Sequence, residues 1–218
     1  TRRLTGLGAS TLKALTELDV GGHWAMVGAV GERSAGNGAA MRLAPLAFVL
    51  DPDCDDDRRT IRDVCRITHR NDEAYVGGLA TIRSLRWVMQ DGQLDDELIR
   101  HLAQALPDSN VRDRFAAILE GQMSASTYVE RFGTSGYVAD SVPFAVLIAV
   151  LGSRQPFMDS IRTVVESGGD TDTIGSIMGQ IRGACFGVAD VPPLVESIDG
   201  ISTIRKVTAE FVQAIRAM

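Results

Sequence analysis

The stretch SGGDTDTIGSIMGQIRGACFG, residues 167–187, places a glycine pair, two carboxylates and two threonines directly before a helical run. Glycine admits backbone angles closed to other residues, so Gly168 and Gly169 allow the chain to turn sharply into that helix. Gly175, Gly179, Gly183 and Gly187 then recur four apart on one stripe. Such a stripe predicts close approach of a second helix or a ligand.

Working outward, the helical period governs the rest of the chain. Residues 10–18, 57–68, 72–90, 95–106, 111–120 and 156–167 place apolar side chains three and four apart. Asn71-Asp72 and Asp108-Ser109-Asn110 supply N-cap candidates, and Gly92, Gly121 and Gly152 fall where helices should stop. VPFAVLIAVLG, from Val142, is too short to span a bilayer and reads as a buried core helix. Period-two alternation is almost absent. The expectation is an all-α fold, with residues 1–218 forming a single domain, since no linker or internal repeat divides the chain.

The bulk composition narrows the function classes. A chain of 218 residues and 23.4 kDa is long enough for one sizeable core. A net charge of −6 and a pI near 5.1 argue against a nucleic-acid partner gripped through its phosphates. Cys54, Cys65 and Cys185 are odd in number and lack CxxC spacing, which fits a reduced, cytoplasmic protein rather than a disulfide framework. No signal peptide precedes Thr1 and no membrane partner is expected, although the chain starts without Met.

Three loops carry the chemistry: residues 31–38, 131–137 and 167–173, each ending where a helix should begin. In a regular helix Asp170 and Asp172 point apart, whereas on a non-helical turn they converge. Two carboxylates and a Thr hydroxyl make a hard, all-oxygen set suited to Mg²⁺, Mn²⁺ or Ca²⁺. The plainer alternative is helix capping by Asp and Thr. Gly36-Asn37-Gly38 leads into a helical start whose N–H groups suit an anion, with Arg42 one turn on to add positive charge; an ordinary Asn-Gly turn explains it as well. Pro45 restarts or kinks the helix there. His69 lies at a helix end, suited to structure or to an anionic ligand, and Tyr137 sits ahead of the apolar helix, able to cover the core or to pack on a ribose or a base. His23 and His101 have no ligand-like neighbours. The acidic run at residues 51–57 lacks Gly at the sixth and Glu at the twelfth EF-hand positions, which are Asp56 and Arg62, and reads as a solvated loop and helix start.

Taken in order, SAGNGAAMRLAPLA, ITHRNDEA, SGYVADSVP and GGDTDTIGSIMGQIRGACFG resemble the ADP-ribosylglycohydrolase family, over nearly the whole chain. The resemblance implies an all-α domain holding two divalent cations, Mg²⁺ or Mn²⁺, at the bottom of an ADP-ribose cleft. Asp170, Asp172 and Thr173 match its C-terminal metal ligands. Ser34, Gly36, Asn37, Gly38 and Met41 match its diphosphate and ribose loop, His69 and Tyr137 its ligand contacts, and Gly169 completes the ADP-ribose set. The implied reaction is hydrolysis of the glycosidic bond between ADP-ribose and a protein side chain or a small compound. Asp172 would be the catalytic carboxylate, stabilising oxocarbenium character. Two departures qualify this. The family's N-terminal Thr-Asp-Asp ligands have no counterpart here, which implies a missing N-terminal segment, cleaved or carried as a separate chain. Relatives acting on arginine-linked ADP-ribose carry Asp and Asn where Gly6 and Ala9 align. A non-catalytic ADP-ribose sensor, or an immunity protein against an ADP-ribosylating toxin, is the alternative.

Overall fold

The computed structural model describes residues 7–91 and 93–217, so Gly6 and Gly92, both singled out above, lie outside the described residues. Eleven α-helices run along them. The first are α1 (Ala9–Asp19) and α2 (Trp24–Val27), followed by the short strand β1 (Ala29–Val30). Then come α3 (Asp55–Arg66), β2 (His69–Arg70), α4 (Asp72–Asp91), α5 (Asp96–Ala105), α6 (Asn110–Gly121) and α7 (Ala125–Phe132). The last are α8 (Val138–Leu151), α9 (Phe157–Ser167), α10 (Thr171–Phe186) and α11 (Ile201–Arg216). The all-α expectation holds, with one addition: β1 and β2 pair in parallel, Ala29 opposite His69 and Val30 opposite Arg70.

The core follows from the one helix that has no polar face. In α8 every residue from Val138 to Val150 except Asp140 is buried, so neighbours must cover it on all sides. α4, α6 and α10 do so, and α5 packs on α6 to close that flank. Caps agree with the sequence. Asp95, Ser109 and Ser124 each accept a backbone N–H at the starts of α5, α6 and α7, and Asn71 accepts from Ala74 N before α4.

α8 also contains Pro143, which has no N–H for the carbonyl of Ala139. The buried Tyr128 of α7 meets that need: its hydroxyl donates to Ala139 O (3.1 Å) and Asp140 O (3.0 Å). A proline inside a core helix is therefore matched by a side chain from another element.

Two expectations change. The glycine stripe of α10 does not serve close packing. A Cβ at Gly175 or Gly179 would meet α9 side chains at ordinary contact distance, 3.5 Å or more. One at Gly183 would meet open space, and Gly187 is the C-cap. Close approach belongs to α4 instead, where a Cβ on Gly77 would overlap Val138 and one on Gly78 would lie 2.7 Å from Leu43 Cδ1. The loop at residues 31–38 also fails to lead into an α-helix. Two 3-10 turns follow, Ala40–Arg42 and Ala44–Phe48, with Pro45 in the first turn of the second, where its missing N–H costs nothing.

The sequence reading also misses α2, α7 and α11. The acidic run behaves as expected, with Asp55, Asp56 and Asp57 forming the first turn of α3. The three cysteines are free thiols. Among the described residues no helix is long and apolar enough to cross a membrane.

Candidate metal and ligand site

The three loops singled out in the sequence meet. Gly36 and Tyr137 form an antiparallel bridge, with Asn37 N donating to Gly136 O (3.1 Å) and Val138 N to Ala35 O (2.9 Å). The glycine turn joins them through Thr134: Asp170 N donates to Thr134 O (2.8 Å), and Thr134 Oγ1 donates to Gly168 O (2.9 Å). Gly168 and Gly169 have φ of 68° and 73°, and a Cβ on Gly169 would overlap Thr134, so glycine is required there twice over.

That turn sets where the carboxylates go. Asp170 occupies the N-cap position of α10, yet with φ −89° and ψ 62° its side chain caps nothing. Its Oδ2 instead accepts Asn37 Nδ2 at 2.6 Å. Capping therefore does not explain Asp170. Asp172 is inside the helix, in its first turn, rather than on a non-helical turn as expected. The two carboxyls still meet, because Asp170 lies just before the helix. A proton shared from the neighbouring Asp170 carboxyl, and then the Thr173 backbone N–H (2.9 Å), favour the ionised form of the exposed Asp172 carboxyl and lower its pKa. Thr173 is 8% exposed, and its hydroxyl points to Met41 Sδ at 3.8 Å.

Asp170, Asp172 and Thr173 thus bring two carboxyls and a hydroxyl to the start of α10, a hard oxygen set that fits Mg²⁺ or Mn²⁺ in chemistry. It is a partial set: among the described residues no three His, Cys, Asp or Glu side chains gather closely enough to hold a metal.

The glycine loop differs from its sequence reading in detail. The Arg42 guanidinium donates to Gly38 O (2.7 Å) and Val64 O (3.1 Å), buttressing the loop from behind while its charge stays beside it. Ser34 is buried and donates its hydroxyl to Gly31 O (2.6 Å). Gly36 and Gly38 flank the imidazole of His69, where a Cβ would come within 3.2 Å of Nε2 and 2.9 Å of Cε1 respectively. His69 is only 4% exposed, and its Nδ1 pairs with Thr68 Oγ1 (2.7 Å). Burial first, and the Arg42 charge second, push its pKa down to about 4. At pH 7 the imidazole is neutral, and it fills the space between the two glycines.

Tyr137 is half-buried, and its hydroxyl accepts Asn110 Nδ2 (3.1 Å). The two carboxylates of Glu73 and Asp140 nearby, after burial itself, raise its pKa. His23 caps α2, and His101 stacks on Trp87 with ring centroids 4.9 Å apart; neither joins the cluster. Two residues of the cluster were not singled out in the sequence. Thr134, 6% exposed, locks the glycine turn, and Ser141, fully buried, accepts Asn37 Nδ2 at 3.0 Å. The spacing of Ser141, four residues after Tyr137 at a helix start, was the signal available.

Known proteins are similar to this chain over most of its length. The chain is 28% identical over 178 residues to the ADP-ribosylarginine hydrolase Tri1 of Pseudomonas putida, covering 81% of this chain and 46% of that protein. It is 28% identical over 161 residues to the ADP-ribosyl-[dinitrogen reductase] glycohydrolase of Rhodospirillum rubrum, covering 74% and 49%. It is 27% identical over 194 residues to mouse ADP-ribosylhydrolase ARH3, covering 74% and 52%. The chain spans about half the length of these curated relatives. A solved chain of an ADP-ribosylglycohydrolase-related protein complex shares the fold, with a TM-score of 0.71 at 24% identity over 94% of this chain and 69% of that one. The ADP-ribosylglycohydrolase family profile matches residues 1–217, and the chain belongs to that family.

Proposed function

We propose that this chain contributes the carboxylate side of a site that hydrolyses the glycosidic bond between ADP-ribose and its acceptor. The observation that carries the reading is Asp170. It sits at a helix N-cap position, leaves the helix uncapped, and turns its carboxylate toward Asp172 and the Asn37 loop.

Each residue has a definable task. Asp172, exposed and held below its ordinary pKa, stays anionic and can stabilise positive charge building at the anomeric carbon as the acceptor departs. Asp170 and Thr173, with Asp172, would hold one or both of two divalent cations, Mg²⁺ or Mn²⁺. Such a cation supplies Lewis-acid charge beside the reacting bond. Gly36, Gly38 and Gly169 let the loops close on His69 and Thr134, which shapes the backbone face a diphosphate-bearing ligand would lie against. Met41, 40% exposed beside Thr173, and the ring of Tyr137 offer apolar surface for its riboses. Binding energy from those remote groups orients the bond that breaks.

The test uses the full chain on peptides mono-ADP-ribosylated at arginine or at serine, with Mg²⁺ or Mn²⁺ and with EDTA. Metal-dependent release of ADP-ribose is expected, and the peptide that reacts names the linkage. Binding of ADP-ribose without release would make the chain a sensor. Near-normal turnover in a folded Asp170→Ala/Asp172→Ala variant would remove those residues from the site.

A further inference from the structure

We infer that Ser141 and Asn37 form a buried positioning chain that fixes the Asp170 carboxylate, so that Asn37 serves the site through Asp170 rather than as a side-chain donor to ligand. This rests on the cation reading of Asp170 given above.

Hydrogen accounting carries the inference. A primary amide has two N–H donors on one nitrogen. Asn37 Nδ2 spends one on Ser141 Oγ (3.0 Å) and one on Asp170 Oδ2 (2.6 Å), so no side-chain donor remains for a phosphate or ribose oxygen. The direction is fixed at both ends. The Ser141 hydroxyl donates to Tyr137 O (3.1 Å), one helical turn back, and so presents a lone pair to Asn37. Flipping the amide would set its oxygen 2.6 Å from a carboxylate oxygen, two acceptors with no hydrogen between them.

Burial makes the chain rigid. Asn37 is 6% exposed and Ser141 is fully buried, and the Asn37 backbone is pinned as well, its N–H on Gly136 O (3.1 Å) and its carbonyl accepting Met41 N (3.2 Å). A buried hydroxyl that satisfied only its own helix would need no such partner. Here it completes a path from the backbone of Tyr137 to the carboxylate of Asp170. With Oδ2 held by the amide, the carboxylate's orientation is fixed and its remaining lone pairs are left for a cation. Groups that orient metal-binding carboxylates in this way act on affinity without touching the ion.

Calorimetric titration of the full chain with Mn²⁺ alone tests this, with melting curves to establish folding. Ser141→Ala, a small change inside a helix, should weaken Mn²⁺ binding about tenfold, and Asn37→Ala between about tenfold and a hundredfold. Their effects should not add: the double variant should bind as Asn37→Ala does, because Ser141 acts only through Asn37. Crystals of Ser141→Ala should show Asp170 in a new or second rotamer. Wild-type affinity in folded Ser141→Ala, or additive losses in the double variant, would overturn the inference while leaving the cation reading intact. No Mn²⁺ binding by the wild-type chain would overturn both.

Discussion

His69 shows how a residue's position fixes its charge. Gly36 and Gly38 close around the imidazole, and burial lowers its pKa to about 4 while an unfolded chain would leave it near the ordinary value. Between those two values the unfolded state binds the proton and the folded state does not. Stability is therefore complete above the ordinary histidine pKa and is lost as pH falls toward the folded pKa. Between about pH 7 and about pH 5 the loss should approach roughly 2 kcal/mol at most. Urea midpoints of the wild type and His69→Gln at both pH values isolate it: the wild type should lose more than the variant. Equal losses would show that His69 titrates normally. The residue types at this site were legible in the sequence, because Asp, Thr, Asn and Gly at those spacings have few other uses together. Their states were not. The buried His69, the carbonyl-bound Arg42 and the Asn37–Asp170 contact depend on which loops meet, and the last of these joins residues 133 apart along the chain.

At the scale of elements, α7 and α8 depend on one hydroxyl. Tyr128 is wholly buried, and burial raises its pKa well above the ordinary tyrosine range, so it remains a donor at any working pH. Tyr128→Phe keeps the ring contacts with Phe132 and Phe144 but leaves the Ala139 carbonyl without a donor. The expected cost is about 1–3 kcal/mol in urea unfolding, with the unfolding slope unchanged. Adding Pro143→Ala restores a backbone N–H for Ala139 and should recover part of that loss; no recovery would mean that the hydroxyl serves something else. α4 makes a second case. Gly77→Ala would force its methyl into Val138 at the start of α8, a cost of about 1–3 kcal/mol and a displacement of the Tyr137 loop. The sequence reading assigned close packing to the four-spaced glycines of α10, since spacing alone cannot say which face of a helix meets a neighbour. It missed α7, eight residues long, because so short a run barely establishes a period, and the Ser124 cap was its clearest signal.

For the molecule as a whole, the helix that carries the carboxylates at its start is anchored at its far end by one buried side chain. Arg182 is 1% exposed, and its guanidinium pairs with both oxygens of Asp190 at 2.9 Å each. It also donates to Gln155 O (3.0 Å), to Gly152 O and to Ser160 Oγ (3.3 Å). One side chain thus ties the end of α8, the turn into α9, α9 itself and the turn at residues 187–190 to α10. Such a buried pair adds little net stability against a well-packed apolar substitute, yet removing one partner strands the other. Arg182→Ala should therefore cost roughly 3–5 kcal/mol, and Asp190→Ala less, because the Asp190 side chain is 16% exposed and the guanidinium keeps its carbonyl partners. The site itself lies at the opposite end of α10. If the helix is a rigid strut, an Arg182→Ala protein that remains folded at low temperature should bind Mn²⁺ with near wild-type affinity while its melting temperature falls sharply. Loss of Mn²⁺ affinity in parallel with intact helicity would show instead that the anchor at one end of α10 sets the geometry of the carboxylates at the other.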